Sequence, residues 1–165
     1  MESRYAHLLS PFQVGNVVFR NRMFTAPMGL HALQGGELYP TEAIITHYAN
    51  KAKGGAAVVT CSGTGAYPVT PDKDHLAYDL YIGHSQHYLA QLADAIHFYG
   101  AKASMEIQAA TREAGYYVSG GLMVPGPGMV PGQPTKELTK EMLADIKKNL
   151  QDQVKILKRI GYDMC

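Results

Sequence analysis

Cysteine, long apolar runs and an excess of charge are all scarce in this sequence, and each scarcity excludes a class of protein. Two cysteines, Cys61 and Cys165, are too few for a disulfide framework and lack the CxxC or His-rich spacing of a metal site. No apolar run approaches the roughly 20 residues that cross a bilayer, and the first residues lack the apolar core of a secretory signal. We therefore expect a cytoplasmic protein with two reduced, buried thiols and no membrane partner.

Charge is balanced as well as sparse. The 15 Lys and Arg residues against 14 Asp and Glu leave a formal net charge of +1, and the basic residues are spread along the chain. Because such a chain offers no basic stripe, we expect no nucleic-acid partner. What is present is an apolar fraction of 46%, which is enough for one globular domain with a real core.

The histidines do not complete a metal site by their spacing. His84 and His87 are three residues apart, but no Glu or Cys stands at ligand spacing beside them or beside His31. Exposed or capping roles are the ordinary interpretation of such histidines. We predict no metal ion.

The first half of the chain alternates strand and helix signals. A hairpin is predicted over 12–19 around a Gly-Asn pair, and a buried strand over 23–25 leads to a turn at Pro27. Thr41 is predicted to cap a helix over 42–53, and an apolar strand follows over 56–61. The apolar face of that helix is predicted to carry Ile45, Tyr48, Ala49 and Ala52.

The second half repeats the alternation. A helix is predicted over 85–99, a strand over 102–108 and a long irregular loop over the Gly- and Pro-rich residues 120–134. Thr139 opens a long helix that stops at Gly161, and residues 162–165 begin a fourth strand. The apolar stripe of this last helix is predicted to be Met142, Ile146, Leu150, Val154 and Leu157.

This alternation, with a glycine before each later strand, predicts parallel strands joined by helical crossovers. Two architectures fit the pattern. A doubly wound sheet usually carries GxGxxG after its first strand, and Met28-Gly29-Leu30-His31 does not match that fingerprint. A (β/α)8 barrel needs about 250 residues, and four strands with three helices come close to its first half.

The stretch Asn-Arg-Met-Phe-Thr-Ala-Pro-Met-Gly over 21–29, preceded by Leu9-Ser10-Pro11-Phe12, resembles the first barrel strand of the old yellow enzyme family. The branch it is most similar to is that of the 2,4-dienoyl-CoA and bile-acid enone reductases. The resemblance implies an α/β fold, the first half of a (β/α)8 TIM barrel with about four parallel strands, three helices and an N-terminal β-hairpin. Residues 1–165 would then be the N-terminal part of a flavin-binding barrel, truncated within strand four.

The resemblance also implies a cofactor site at three successive strand ends. The residues that match the family's flavin contacts are Ala26, Pro27, Met28, Ser62, Gly63 and Gln108. Taken singly, each group is also consistent with an ordinary turn or a satisfied core amide. Exposed backbone, a small residue for close approach and an amide that both donates and accepts are what a flavin ring needs, so the three groups together are the stronger signal.

The family implies an FMN-dependent enzyme that takes hydride from NADH or NADPH and delivers it to the C=C bond of an α,β-unsaturated carbonyl. The partner would be a small-molecule enone or enoyl substrate, and a homo-oligomer is compatible with the family. A 4Fe-4S cluster and FAD are implied only if a longer C-terminal part exists. The family's catalytic residues fall beyond Cys165, so none is named here, and we expect residues 1–165 alone to be inactive.

Two departures from the family pattern keep an alternative open. Gly29 stands where the family often has a Thr or Cys that tunes the flavin, and Ala110-Thr111-Arg112-Glu113 replaces a His-Ala-Gly-Arg run. His31 falls on a side of the family's substrate pocket and is the one substrate contact that the resemblance suggests. The alternative is a degenerate, non-catalytic barrel fragment that acts as a binding or regulatory module.

Overall fold

The structure, a computed structural model that describes residues 4–64, 78–107 and 140–165, begins with a short helix and a β-hairpin. Helix α1 spans Ala6–Leu9, and strands β1 (Phe12–Val14) and β2 (Val17–Phe19) pair antiparallel with Phe12 opposite Phe19. Gly15 makes the turn at φ +56°, a conformation that favours glycine. The predicted hairpin is confirmed.

Three parallel strands form the sheet. Strands β3 (Phe24–Thr25), β4 (Val58–Thr64) and β5 (Lys102–Ile107) lie in the order β3-β4-β5. Met164 makes a parallel bridge to Ser104 on the other side of β5, at the place of the predicted fourth strand. Three of the four predicted parallel strands are therefore found, with a single bridge in place of the fourth, in the arrangement of the first half of a (β/α)8 barrel.

Helices separate these strands along the chain. After a four-residue helix α2 (His31–Gln34), which was not predicted, come α3 (Glu42–Lys53), α4 (Gly83–Phe98) and α5 (Lys140–Arg159). The bounds of α3 match the prediction because both end signals act locally: the Thr41 hydroxyl accepts from the Ile44 N–H, and the Gly54 N–H donates to the Asn50 carbonyl. In the described part of the chain, no helix is both long enough and apolar enough to span a membrane.

The two faces of the sheet carry different side chains, since neighbouring residues of a strand point to opposite sides. Val59 and Cys61 of β4, with Ala103 and Met105 of β5, pack against the helices. The main core on this side contains Ile44, Tyr48, Ala52, Leu89, Leu92, Ala93, Ile96 and Leu157. On the opposite face of the sheet, Val58 packs with Phe19 of the hairpin. Strand β2 therefore covers one end of the sheet face that the helices leave open.

Three predictions about burial were wrong in part. Strand β3 was expected to be buried, but Phe24 is 47% exposed because β3 is the edge of the described sheet. In α3, Tyr48 and Ala52 are buried as predicted, but the third buried residue is Ile44 rather than Ile45. In α5, Leu157 is buried as predicted, but Val154 is exposed and the polar Gln153 is buried beside it.

The two cysteines also differ from each other. Cys61 is fully buried, and burial raises the pKa of its thiol, which therefore stays protonated. Cys165 is exposed, so the prediction of two buried thiols holds only for Cys61. The predicted loop over 120–134 lies outside the described residues.

Candidate cofactor site at the strand ends

The carboxyl ends of β3, β4 and β5 meet at one edge of the sheet because the strands are parallel. Ala26, Pro27 and Met28 leave β3 at this edge, and all three are exposed. Pro27 has no backbone N–H and a fixed φ, so regular strand pairing stops there and the main chain turns away. The structure thus presents this segment to solvent, as a ligand-binding turn requires.

The first two strand ends are joined by the hydroxyl of Tyr48, a fully buried residue of α3. This hydroxyl donates to the Met28 carbonyl at 2.8 Å and accepts from the Ser62 N–H at 3.0 Å. One side chain therefore fixes the spacing between the segment after β3 and the end of β4. The sequence placed Tyr48 on the apolar face of its helix, but this bridge was missed.

Burial raises the pKa of the Tyr48 hydroxyl above its ordinary value; the Ser62 N–H opposes the rise in part, and Cys61 and Glu106 add to it. The hydroxyl therefore remains protonated and can serve as the donor to Met28. Because the Ser62 N–H is already partnered, a ligand would meet the Ser62 hydroxyl or the second lone pair of the Met28 carbonyl.

Gly63 lies at an irregularity of β4. Cys61 pairs with Met105 and the next pair is Thr64 with Ile107. Between these two pairs β4 therefore contains one more residue than β5. Gly63 is buried and has φ +62°, a backbone conformation that L side chains rarely adopt. A bulge of this kind re-aims the strand end, and the small residue predicted here is required by the backbone itself.

The third strand end contributes a carboxylate that the sequence reasoning did not select. The Ser62 hydroxyl donates to Oε2 of Glu106 at 3.4 Å, which links the ends of β4 and β5 on the side of the sheet away from the helices. The signal available in the sequence was the alternation of side chains along β5, which places the Glu106 carboxylate on the face opposite to the apolar Met105. The resemblance to the family selects Gln108 instead, since that residue matches the family's glutamine.

The predicted site residues therefore divide into three groups. Met28 and Ser62 are brought together through Tyr48, and Gly63 follows Ser62 in the bulge. Ala26 and Pro27 lie exposed beside them on the segment that follows β3. Gln108, like the departure at 110–113, lies outside the described residues and stays a prediction.

The histidines of the described residues do not gather into a metal-binding group. In residues 4–64, 78–107 and 140–165, no group of three His, Cys, Asp or Glu side chains could hold a metal ion. The ring of His84 packs edge-on against Tyr39 with centroids 5.3 Å apart, and His87 lies within 3.1 Å of the Gln91 amide. His31 belongs to α2, and its proposed contact with substrate stays a prediction.

Comparison with known proteins assigns the chain to a family. Residues 7–164 match the sequence profile of the NADH:flavin oxidoreductase / NADH oxidase family. A metal reductase of Desulforamulus reducens is 33% identical over 165 residues, which cover 94% of this chain and 23% of that protein. An NADPH dehydrogenase of Listeria monocytogenes is 27% identical over 149 residues, which cover 86% of this chain and 43% of the relative.

Solved structures agree in fold. The old yellow enzyme of a Pichia species superposes with a TM-score of 0.75 at 16% identity and covers 96% of this chain and 44% of its own. A 2-naphthoyl-CoA reductase superposes with a TM-score of 0.77 at 21% identity, over 98% of this chain and 27% of its own. The chain thus spans less than half the length of each of these relatives. From residue 7 to residue 164, the chain belongs to the NADH:flavin oxidoreductase / NADH oxidase family, the family of the old yellow enzymes.

Proposed function

We propose that this chain supplies the flavin-contacting half of an FMN-dependent oxidoreductase that uses NADH or NADPH to reduce the C=C bond of an α,β-unsaturated carbonyl. The observation that carries the proposal is the set of three strand ends tied together by Tyr48 and Ser62. Membership of the family and relatives named NADPH dehydrogenase support the same reading.

The residues at the strand ends fit a flat, polar-edged ring. Ala26, Pro27 and Met28 offer exposed main chain, and their small or flexible side chains allow a ring to approach. Ser62 and Glu106 add a hydroxyl and a carboxylate at the adjacent strand ends. Gly63 keeps the bulge free of a side chain, and Gln108, if it reaches the site, would add an amide that donates and accepts.

FMN, when bound, would supply the hydride chemistry between the nicotinamide and the unsaturated substrate. The residues named here would hold and orient the ring. Tyr48 would keep Met28 and Ser62 at a fixed separation, so the contacts are formed before the ligand arrives. Such preorganisation lowers the cost of binding, since less backbone must be ordered at the moment of association.

The test is to purify the whole oxidoreductase of which this chain is proposed to form half, measure its flavin absorption and, if it is colourless, attempt reconstitution with FMN. Bound FMN that is reduced by NADH or NADPH and reoxidised by a cyclic enone would support the full proposal. FMN that binds but accepts no electrons from either nicotinamide would favour the binding module instead. A colourless protein that cannot be reconstituted would contradict both cofactor binding and the activity.

A pair of variants locates the site. Ala26→Trp places a large ring on the exposed segment after β3, and we expect FMN retention to fall by about tenfold or more because the ring occupies the space of the ligand. Ala43→Trp makes the same change at an exposed position of α3 and should leave FMN retention unchanged. Equal retention in the two variants would remove the segment after β3 from the site.

A further inference from the structure

Glu106 is placed by strand geometry on the open side of the sheet. Met105 is fully buried against the helices, and the neighbouring side chains of Ser104 and Glu106 point to the opposite face. Ser62 of β4 reaches Glu106 on that face. The carboxylate therefore lies at the carboxyl end of β5, next to the residues proposed to contact the cofactor.

The chemistry of this position differs from that of an amide. An ionised carboxylate only accepts hydrogen bonds and carries a full negative charge. The Ser62 hydroxyl is neutral, and its hydrogen bond to one lone pair of the Glu106 carboxylate is long, at 3.4 Å. Of the ion pairs within the described residues, none includes Glu106, so these residues leave its charge uncompensated.

We propose that Glu106 is a cofactor contact whose carboxylate accepts a hydrogen bond from a ring N–H of the flavin and whose charge sets the reduction potential of the bound flavin. The inference rests on the proposed function. Reduced flavin carries more negative charge than oxidised flavin, so a nearby carboxylate disfavours the reduced form. Glu106 thus holds the potential lower than a neutral side chain would.

The experiment measures the two-electron potential of bound FMN and its dissociation constant in the oxidised state, at one pH and ionic strength. Glu106→Gln keeps the shape and removes the charge. We expect the ratio of oxidised-state to reduced-state dissociation constants to rise by about tenfold or more, which raises the potential by about 30 mV for each factor of ten. Asp94→Asn removes an exposed carboxylate of α4 and should leave the potential unchanged.

A second variant predicts a shift of the opposite sign. Ser62→Ala removes the donor that partly neutralises Glu106, so the potential should fall below that of the unaltered protein. Both variants can be judged from potentials alone, whatever their catalytic rates. If one variant fails to fold, the other still shows whether the potential shifts in the expected direction.

The outcomes separate this inference from the proposed function. Opposite shifts in Glu106→Gln and Ser62→Ala, with no shift in Asp94→Asn, support it. A Glu106→Gln protein that binds FMN at the unaltered potential overturns the role of Glu106 and leaves the proposed function standing. A protein that binds no FMN in any form overturns both.

Discussion

Among single residues, Tyr48 has the contacts that matter most for the site. We expect Tyr48→Phe to lower the free energy of unfolding by about 1–3 kcal/mol, because the buried Ser62 N–H loses its acceptor and the Met28 carbonyl loses its donor. The ring and its packing remain, so the loss of stability measures the contribution of the hydroxyl and its two hydrogen bonds. Chemical denaturation of the two proteins measures the difference.

Tyr99→Phe is the matched control, since it removes a hydroxyl from a partly buried ring that packs edge-on against Phe98. It should change stability by less than about 0.5 kcal/mol. If both variants lose the same amount, the bridge between Met28 and Ser62 contributes nothing of its own.

Tyr48 and Glu106 also mark the limit of what single residues reveal in a sequence. The helical spacing put Tyr48 on a buried face, but its partners lie 20 and 14 residues away and no local pattern connects them. Glu106 lies two residues before Gln108, the residue that matches the family's glutamine, and its link to Ser62 joins positions 44 residues apart. That link depends on the pairing of β4 with β5, which no local pattern specifies.

At the scale of elements, the bulge in β4 depends on Gly63. Gly63→Ala should lower the free energy of unfolding by about 1–2 kcal/mol, because an L residue at φ +62° is strained whatever space surrounds it. It should also weaken FMN retention, since the backbone can relieve the strain only by moving the strand end. Thermal or chemical denaturation and FMN titration measure the two effects.

Gly36→Ala gives the comparison for this substitution. A Cβ at Gly36 meets no atom within 4 Å, and its φ lies outside the range that disfavours a side chain. Stability should therefore stay the same or rise slightly as the unfolded chain loses freedom. A Gly63→Ala protein as stable as Gly36→Ala would contradict the strain argument.

Elements with local signals were predicted well and elements that depend on the rest of the fold were not. Helix α3 has the predicted bounds because a capping threonine and a terminal glycine both act within a few residues. The exposure of Phe24 and of Val154 follows from which neighbours are present on each side. A sequence window contains no information on those neighbours.

At the scale of the whole molecule, Asp163 ties the segment after α5 to α4 and to the start of β5. Its carboxylate contacts His97 of α4 at 2.7 Å, Lys102 of β5 at 2.9 Å and the Ala103 N–H at 2.9 Å. Partial burial alone would raise the pKa of Asp163, but the hydrogen bonds from His97, Lys102 and Ala103 outweigh it and hold the pKa below its usual range.

A depressed pKa fixes the sign of the pH dependence. The cluster stabilises the fold above the unfolded pKa of aspartate, about 3.9, and this contribution is lost as the pH falls through the folded-state value. We expect Asp163→Asn to be less stable than the unaltered protein by about 1–2 kcal/mol at neutral pH. The gap should close at acid pH, as measured by denaturation across a pH series.

The exposed pair of Asp152 and Lys155 in α5 provides the control for this series. Lys155 is 74% exposed and the pair spans 3.1 Å within one helix, so Asp152→Asn should change stability by less than about 0.5 kcal/mol. A gap between Asp163→Asn and the unaltered protein that stays constant down to acid pH would contradict the titration of Asp163.

The last prediction concerns the open edges of the sheet when residues 1–165 are expressed as a separate polypeptide. Strand β3 is one edge of the described sheet, and residues at Met164 begin the other. Phe24 and Met28 are 47% and 52% exposed beside the first edge. Unpaired strand edges next to apolar side chains pair with other chains, so we expect this polypeptide to self-associate with rising concentration.

Sedimentation velocity over a range of micromolar concentrations tests the association. Phe24→Lys should weaken it, because the charge stands on the open edge strand, whereas Phe98→Lys alters a side chain that is 81% exposed at the end of α4 and should not. Circular dichroism checks that Phe24→Lys keeps its fold, since Phe24 also packs within 5.1 Å of Phe19. A monomer at every concentration would show that these edges are protected within residues 1–165 themselves, and equal weakening by both variants would place the contact elsewhere.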